Sequence, residues 1–187
     1  MPLIKRLSNW KVCLLFTGLF LLYLFFLLPN ESAKSDRIYG DLEMPDTKMI
    51  YTSEYLRDLV SQMSDEGRAA YITSKIRFDI LWPLAYGLWL TSLLGILLKV
   101  KSENKSKQIK WTSRLVYLPM LAVLFDFMEN GVISIIMSRH PEELSVLFSL
   151  APVLTALKWL VLNSAFLLVI ILGGIRLVQM FLKRVSS

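Results

Sequence analysis

Four stretches of the chain are nearly unbroken in apolar side chains: Val12 to Leu28, Phe78 to Leu98, Leu115 to Met137 and Ala151 to Val178. About 20 residues is what a hydrocarbon core asks of a helix, and each run meets that length. Lipid offers the backbone no hydrogen-bond partners, so such a run must satisfy its own amides and carbonyls, which a helix does within the segment. The pattern predicts an all-α fold, a four-helix transmembrane bundle forming one membrane domain over residues 1–187. The polar segment 30–77 between the first two runs divides in two. From Asn30 to about Tyr51, Gly40, Pro45 and scattered charges read as an irregular loop. After Thr52 and Ser53, both good helix caps, Tyr55, Leu56, Leu59, Val60 and Met63 recur on one face. That spacing predicts an amphipathic helix lying on the membrane surface or over the mouth of the bundle. Ser64 followed by Asp65 and Glu66 marks a fresh helix start, and no breaker intervenes before Pro83. One helix of roughly 50 Å is therefore expected from about Asp65 to Leu98. It should kink at Asp79, whose carbonyl loses its donor to Pro83.

Composition and charge then fix the setting. Hydrophobic residues make up 55% of the chain and the mean hydropathy is +0.51, values of a membrane-embedded protein. The first run reads as a retained anchor, because it exceeds a signal-peptide core and Asn30-Glu31-Ser32-Ala33 lacks the small residue pair of a cleavage site. Lys5, Arg6 and Lys11 precede that run, and Lys99, Lys101, Lys105, Lys107, Lys110 and Arg114 crowd the segment 99–114. Lys183 and Arg184 follow the fourth run, whereas 30–77 is slightly acidic. The positive-inside rule then expects both termini in the cytoplasm and 30–77 outside it, in a multi-pass protein of a plasma membrane of the bacterial inner-membrane type. A net charge of +6 arranged this way faces anionic headgroups, so no nucleic-acid partner is expected. With one Cys (Cys13) and one His (His140), no metal site, cofactor or thiol chemistry is expected either.

Candidate chemistry lies inside the spans. Asp126, Glu129 and Asn130 stand at i, i+3 and i+4 in the third run, so all three share one helix face. A mid-membrane carboxylate costs roughly 2.5 to 3.5 kcal/mol, which calls for a partner, a proton or water. Counting at about 1.5 Å per residue, Lys158 of the fourth run falls at the depth of Glu129. Asn163 lies one to two turns deeper, near Asp126, and Asp79 sits at the outer mouth beside possible partners Arg68, Lys75 and Arg77. Tyr86, Gly87 and Trp89 read as bundle packing, and Gly173-Gly174 as a place for close helix approach. The cluster is expected to form an outward-facing polar pocket lined by Asp79, Asp126, Glu129, Asn130, Lys158 and Asn163. Its occupant would be a membrane lipid or other amphiphile, or a partner membrane protein. Two alternatives use the same residues: an intramembrane enzyme with Asp126 and Glu129 as general acid and base, or a small proton-coupled carrier. The plain structural alternative is an ion pair that fixes helix register.

The arrangement Gly67-Arg68-x-x-Tyr71, Asp79-x-x-x-Pro83-x-x-Tyr86 and Asp126-x-x-Glu129-Asn130 resembles a group of small four-span membrane proteins with a D-x-x-E-N motif in the third span. The resemblance covers the region from the second to the third run. It implies the four-helix fold and no activity.

Overall fold

The apolar runs become helices that outlast them. The computed structural model describes residues 6–40, 42–101 and 114–185. Helix α1 spans Trp10–Tyr39, α2 Ser53–Gln62, α3 Asp65–Arg77, α4 Leu81–Lys101, α5 Leu118–Arg139 and α6 Ser145–Val185. No strand occurs among the described residues. Four units are long and apolar enough to cross a membrane: α1, α3 with α4, α5 and α6. The chain is thus an integral membrane protein by length and composition, built as an all-α four-helix bundle with a helical cap. Most of the basic segment 99–114, on which orientation depends, lies outside the described residues.

Two expectations about helix ends need correcting. Residues 30–39, read as loop, continue α1. Pro29 supplies no N–H to the turn before it, and the helix answers with a π turn over Tyr23–Leu27 in which the Leu28 N–H reaches the Tyr23 carbonyl. Beyond it, Glu31 and Lys34 pair at 2.5 Å one turn apart and the helix stops at Gly40, whose φ of 60° suits glycine. The expected single helix 65–98 is instead broken over residues 78–80. Phe78 and Asp79 both turn their N–H towards the Ser74 carbonyl, at 2.8 and 3.4 Å, and α4 restarts with Leu81 N–H on the Phe78 carbonyl. Proline explains the position, since Pro83 leaves the Asp79 carbonyl without its helical donor. The Tyr23 hydroxyl also donates to the Phe78 carbonyl at 2.9 Å, pinning the joint to α1.

The cap closes one end of the bundle. Leu56, Leu59 and Val60 of α2 and Met63 just after it pack on Ile133, Ile136 and Met137 at the end of α5 and on Phe148 and Ala151 at the start of α6. Of the two placements open to this amphipathic helix, it covers the mouth. A corner residue fastens it: buried Arg68 of α3 donates to the Val60 carbonyl at 3.1 Å, to the Met63 carbonyl and to Asp65. Towards the other end, Phe20 stacks on Trp82 and Trp89, and Leu90, Leu94, Ala122, Val123, Leu162 and Ala165 fill the centre.

Close approach of α4 and α5 requires a glycine at 87. A Cβ there would stand 2.4 Å from Val123 Cγ2 and 3.1 Å from Met120 Cε. Gly87→Ala is therefore expected to push the two helices apart and destabilise the bundle by about 1–3 kcal/mol, the usual range for overpacking. Gly173→Ala serves as the control, because a Cβ at 173 or 174 meets nothing within 4 Å. That openness also removes the close helix approach expected at Gly173-Gly174. Thermal unfolding of both variants in detergent checks the contrast.

Candidate functional site

Asp126, Glu129 and Asn130 of the third run and Lys158 of the fourth meet inside the bundle. The i, i+3, i+4 spacing turns Asp126, Glu129 and Asn130 inward on α5, where Glu129 is fully buried and the other two nearly so. From α6, Lys158 Nζ comes to 2.6 Å from Glu129 Oε2 and 3.8 Å from Asp126 Oδ1. One ammonium thus serves two carboxyls, each offsetting part of the cost of taking the other out of water. Asp79 pairs with Lys75 across the α3–α4 joint, one of the three partners expected for it.

Three polar side chains that the sequence left aside complete the network. Thr155, one turn before Lys158 on α6, has its Oγ1 at 2.7 Å from Glu129 Oε1, with the Ala151 carbonyl at 3.0 Å and the Tyr51 hydroxyl at 3.1 Å. Tyr86, read as packing, donates its hydroxyl to Asp126 Oδ2 at 2.9 Å, while Asn130 Nδ2 donates to Asp126 Oδ1 at 3.1 Å. The i−3 relation of Thr155 to Lys158 was a usable signal, and so was a Tyr hydroxyl in an apolar span, which must find an acceptor. Tyr51 reaches Thr155 across 104 residues, a contact without a local sequence signal. The cap loop is tied down further where Trp159 Nε1 donates to the Lys48 carbonyl at 3.1 Å. In that loop, the hydrogen bond that Lys48 donates to Glu43 holds its ammonium above the usual range, and partial burial raises the Tyr55 phenol.

Openings are distributed differently from the expected pocket. A groove of about 240 Å³ runs between the α3–α4 joint and α5, lined by Lys75, Ile76, Asp79, Ile80, Phe127, Asn130, Gly131 and Ser134. Asp79 and Asn130 reach it; Asp126, Glu129 and Lys158 do not form its wall. The reason is polar: Thr155, Tyr86 and Asn130 hydrogen-bond three of the four carboxylate oxygens, and the Lys158 ammonium is ion-paired with the fourth, Glu129 Oε2. Asn163 is a further correction, since its side chain is exposed. Five residues on from Lys158 is about 140° round the helix, so the two cannot share a face. Asn130 is common to the buried network and the groove, and it has no proton to exchange near neutral pH.

No family model, curated protein or solved structure matches this chain.

Proposed function

We propose that this membrane protein binds an amphiphile in the groove between the α3–α4 joint and α5, with the enclosed Asp126–Glu129–Lys158 network lying behind Asn130. The observation that carries the reading is the make-up of the groove. Polar Lys75, Asp79, Asn130 and Ser134 stand beside apolar Ile76, Ile80 and Phe127. Ile76 and Ile80 are 61% and 45% exposed, a wall suited to an acyl chain next to groups suited to a head. The groove spans α5 residues 127–134, so its upper end lies about 8 Å and its lower end about 18 Å below Arg139 at the cap end of α5. A lipid entering sideways would find both regions at the depth where its own head and tail meet. The excess of Lys and Arg at both termini and in 99–114 supports placing the cap outside the plasma membrane and the termini in the cytoplasm.

Binding suits this geometry better than acid–base work. Neither Asp126 nor Glu129 presents an oxygen to the groove, and Asn130 between them and any occupant does not titrate. Gly131→Leu tests the reading directly. A Cβ at 131 meets nothing within 4 Å, so the fold should tolerate the side chain while its branches fill the groove. Native mass spectrometry of protein extracted from its own membrane should show a retained lipid in the wild type and on the order of tenfold less in Gly131→Leu, with equal thermal stability. Equal retention by both would refute the groove as the binding site.

A further inference from the structure

At the end of the bundle away from the cap, and independently of the groove, α6 outruns its neighbours. Trp89 of α4 sets the register there: its indole donates to Thr17 of α1 at 3.1 Å and its ring lies 6.0 Å from that of Phe166 of α6. From this common level, at about 1.5 Å per residue, α1 has about 10 Å left to Trp10, α4 about 18 Å to Lys101, and α6 about 28 Å to Val185. α6 packs on the bundle core as far as Leu172. Charges mark where the hydrocarbon ends: Lys11 at the foot of α1, Lys99 and Lys101 at the foot of α4, and Arg176 of α6 at the depth of Lys99. The last turns of α6 run about 13 Å past that boundary. They nevertheless carry Leu177, Val178, Met180, Phe181, Leu182 and Val185, with Leu177, Phe181 and Val185 exposed to 66%, 69% and 71%.

Pattern and charge identify what covers them. At about 100° per residue, Arg176, Gln179 and Lys183 fall on one side of the helix and Leu177, Val178, Phe181 and Val185 on the other. No Asp or Glu follows Glu143, so the charged side chains at this end of α6 are all basic. A second copy of the chain would need a narrow apolar stripe. The stripe available, Ile175, Val178, Leu182 and Val185, leaves Leu177, Met180 and Phe181 in water. A bilayer surface covers the wider face and offers anions to the basic side chains. Gly173-Gly174 supplies the means of reaching it: a Cβ at either position meets nothing within 4 Å, and glycine pairs are where helices bend.

We propose that residues 175–185 of α6 turn at Gly173-Gly174 and dock on the membrane surface at the end opposite the cap, a surface of anionic lipid. Leu177, Val178, Phe181 and Val185 enter the acyl layer, while Arg176, Lys183 and Arg184 meet the head groups.

Spin labels on Phe181→Cys and on Gln179→Cys, each in full-length Cys13→Ala protein, read the docking in nanodiscs of phosphatidylcholine and phosphatidylglycerol large enough for two copies. The label at 181 should be reached by oxygen and shielded from a water-soluble nickel chelate, and the label at 179 should show the reverse. Exposure of both labels to nickel overturns the proposal, because the end of α6 then stands in water. Dipolar broadening between labels at 181 overturns it in favour of a second copy. If Cys13→Ala fails to fold, trypsin acts on the unmodified chain in nanodiscs instead. With three basic side chains at an anionic surface, cleavage at Arg176 and Lys183 should be on the order of a hundredfold slower with phosphatidylglycerol present than in phosphatidylcholine alone. Equal rates overturn the anionic surface as the partner.

Discussion

Lys158→Met is expected to lower the stability of the bundle by about 3–5 kcal/mol, the cost typical of removing one partner from a buried ion pair. Methionine keeps most of the side chain's length and apolar stem, so the loss reports the charge and little else. What stays behind is Glu129, fully enclosed with its Oε2 emptied of a partner at 2.6 Å, and Asp126, whose attraction to the same ammonium at 3.8 Å is gone. Adding Glu129→Gln to Lys158→Met should recover a substantial part of the loss, because the second change removes the carboxylate that the first one stranded. The recovery, read as a coupling energy from the four thermal or denaturant unfolding curves, separates the pair from the packing around it. A single-variant loss below about 1 kcal/mol would mean that Lys158 reaches solvent by way of its long stem, as exposed ion pairs of that size do.

Arg68→Met should act at the cap with an expected effect of about 3 kcal/mol, within the range for losing charged hydrogen bonds. Its guanidinium satisfies the Val60 carbonyl in the last turn of α2 and the Met63 carbonyl just beyond, groups left over at any helix end. Its bond to Asp65 adds little, because that carboxylate is almost wholly exposed. Without Arg68, the α2–α3 corner opens and the apolar face of α2 detaches from Ile133, Ile136 and Phe148. The spanning helices have their own core around Leu90, Leu94 and Ala122, so they should survive. Limited proteolysis of the variant should therefore cut near residues 62–65 and leave the spans whole. Cleavage at wild-type rates would show that the corner is held by apolar packing alone.

Much of this was legible from local chemistry. Thr52 and Ser64 cap α2 and α3 through their hydroxyls, accepting from the Tyr55 N–H at 3.2 Å and the Gly67 N–H at 3.1 Å, as their positions before each helix suggest. Counting residues inward from the ends of two antiparallel spans brings Glu129 and Lys158 to the same level, and the pair is there. The same counting misleads for Asn163, because depth says nothing of angle. The break at 78–80 is half visible: Pro83 marks its place, but the hydroxyl of Tyr23 that pins the Phe78 carbonyl comes from another helix. Helix over residues 30–39 escapes a reading in which polarity outweighs propensity, although Glu, Ala, Lys and Arg are all comfortable in a helix. What no sequence count could supply is the reach of Tyr51 to Thr155 across 104 residues, which helps to convert an expected open pocket into an enclosed network with a groove beside it. Closure depends on contacts between distant segments, and these have no periodicity.

A cryo-electron microscopy map of the wild-type protein in a nanodisc of its native lipids tests the central claim most directly. The expected result is elongated non-protein density between Ile76, Ile80 and Gly131, with its polar end against Asp79 and Asn130 and with Lys158 still bridging Glu129 and Asp126 behind it. A groove shut by the α3–α4 joint closing on α5, in a map where lipid is ordered elsewhere around the bundle, would contradict it.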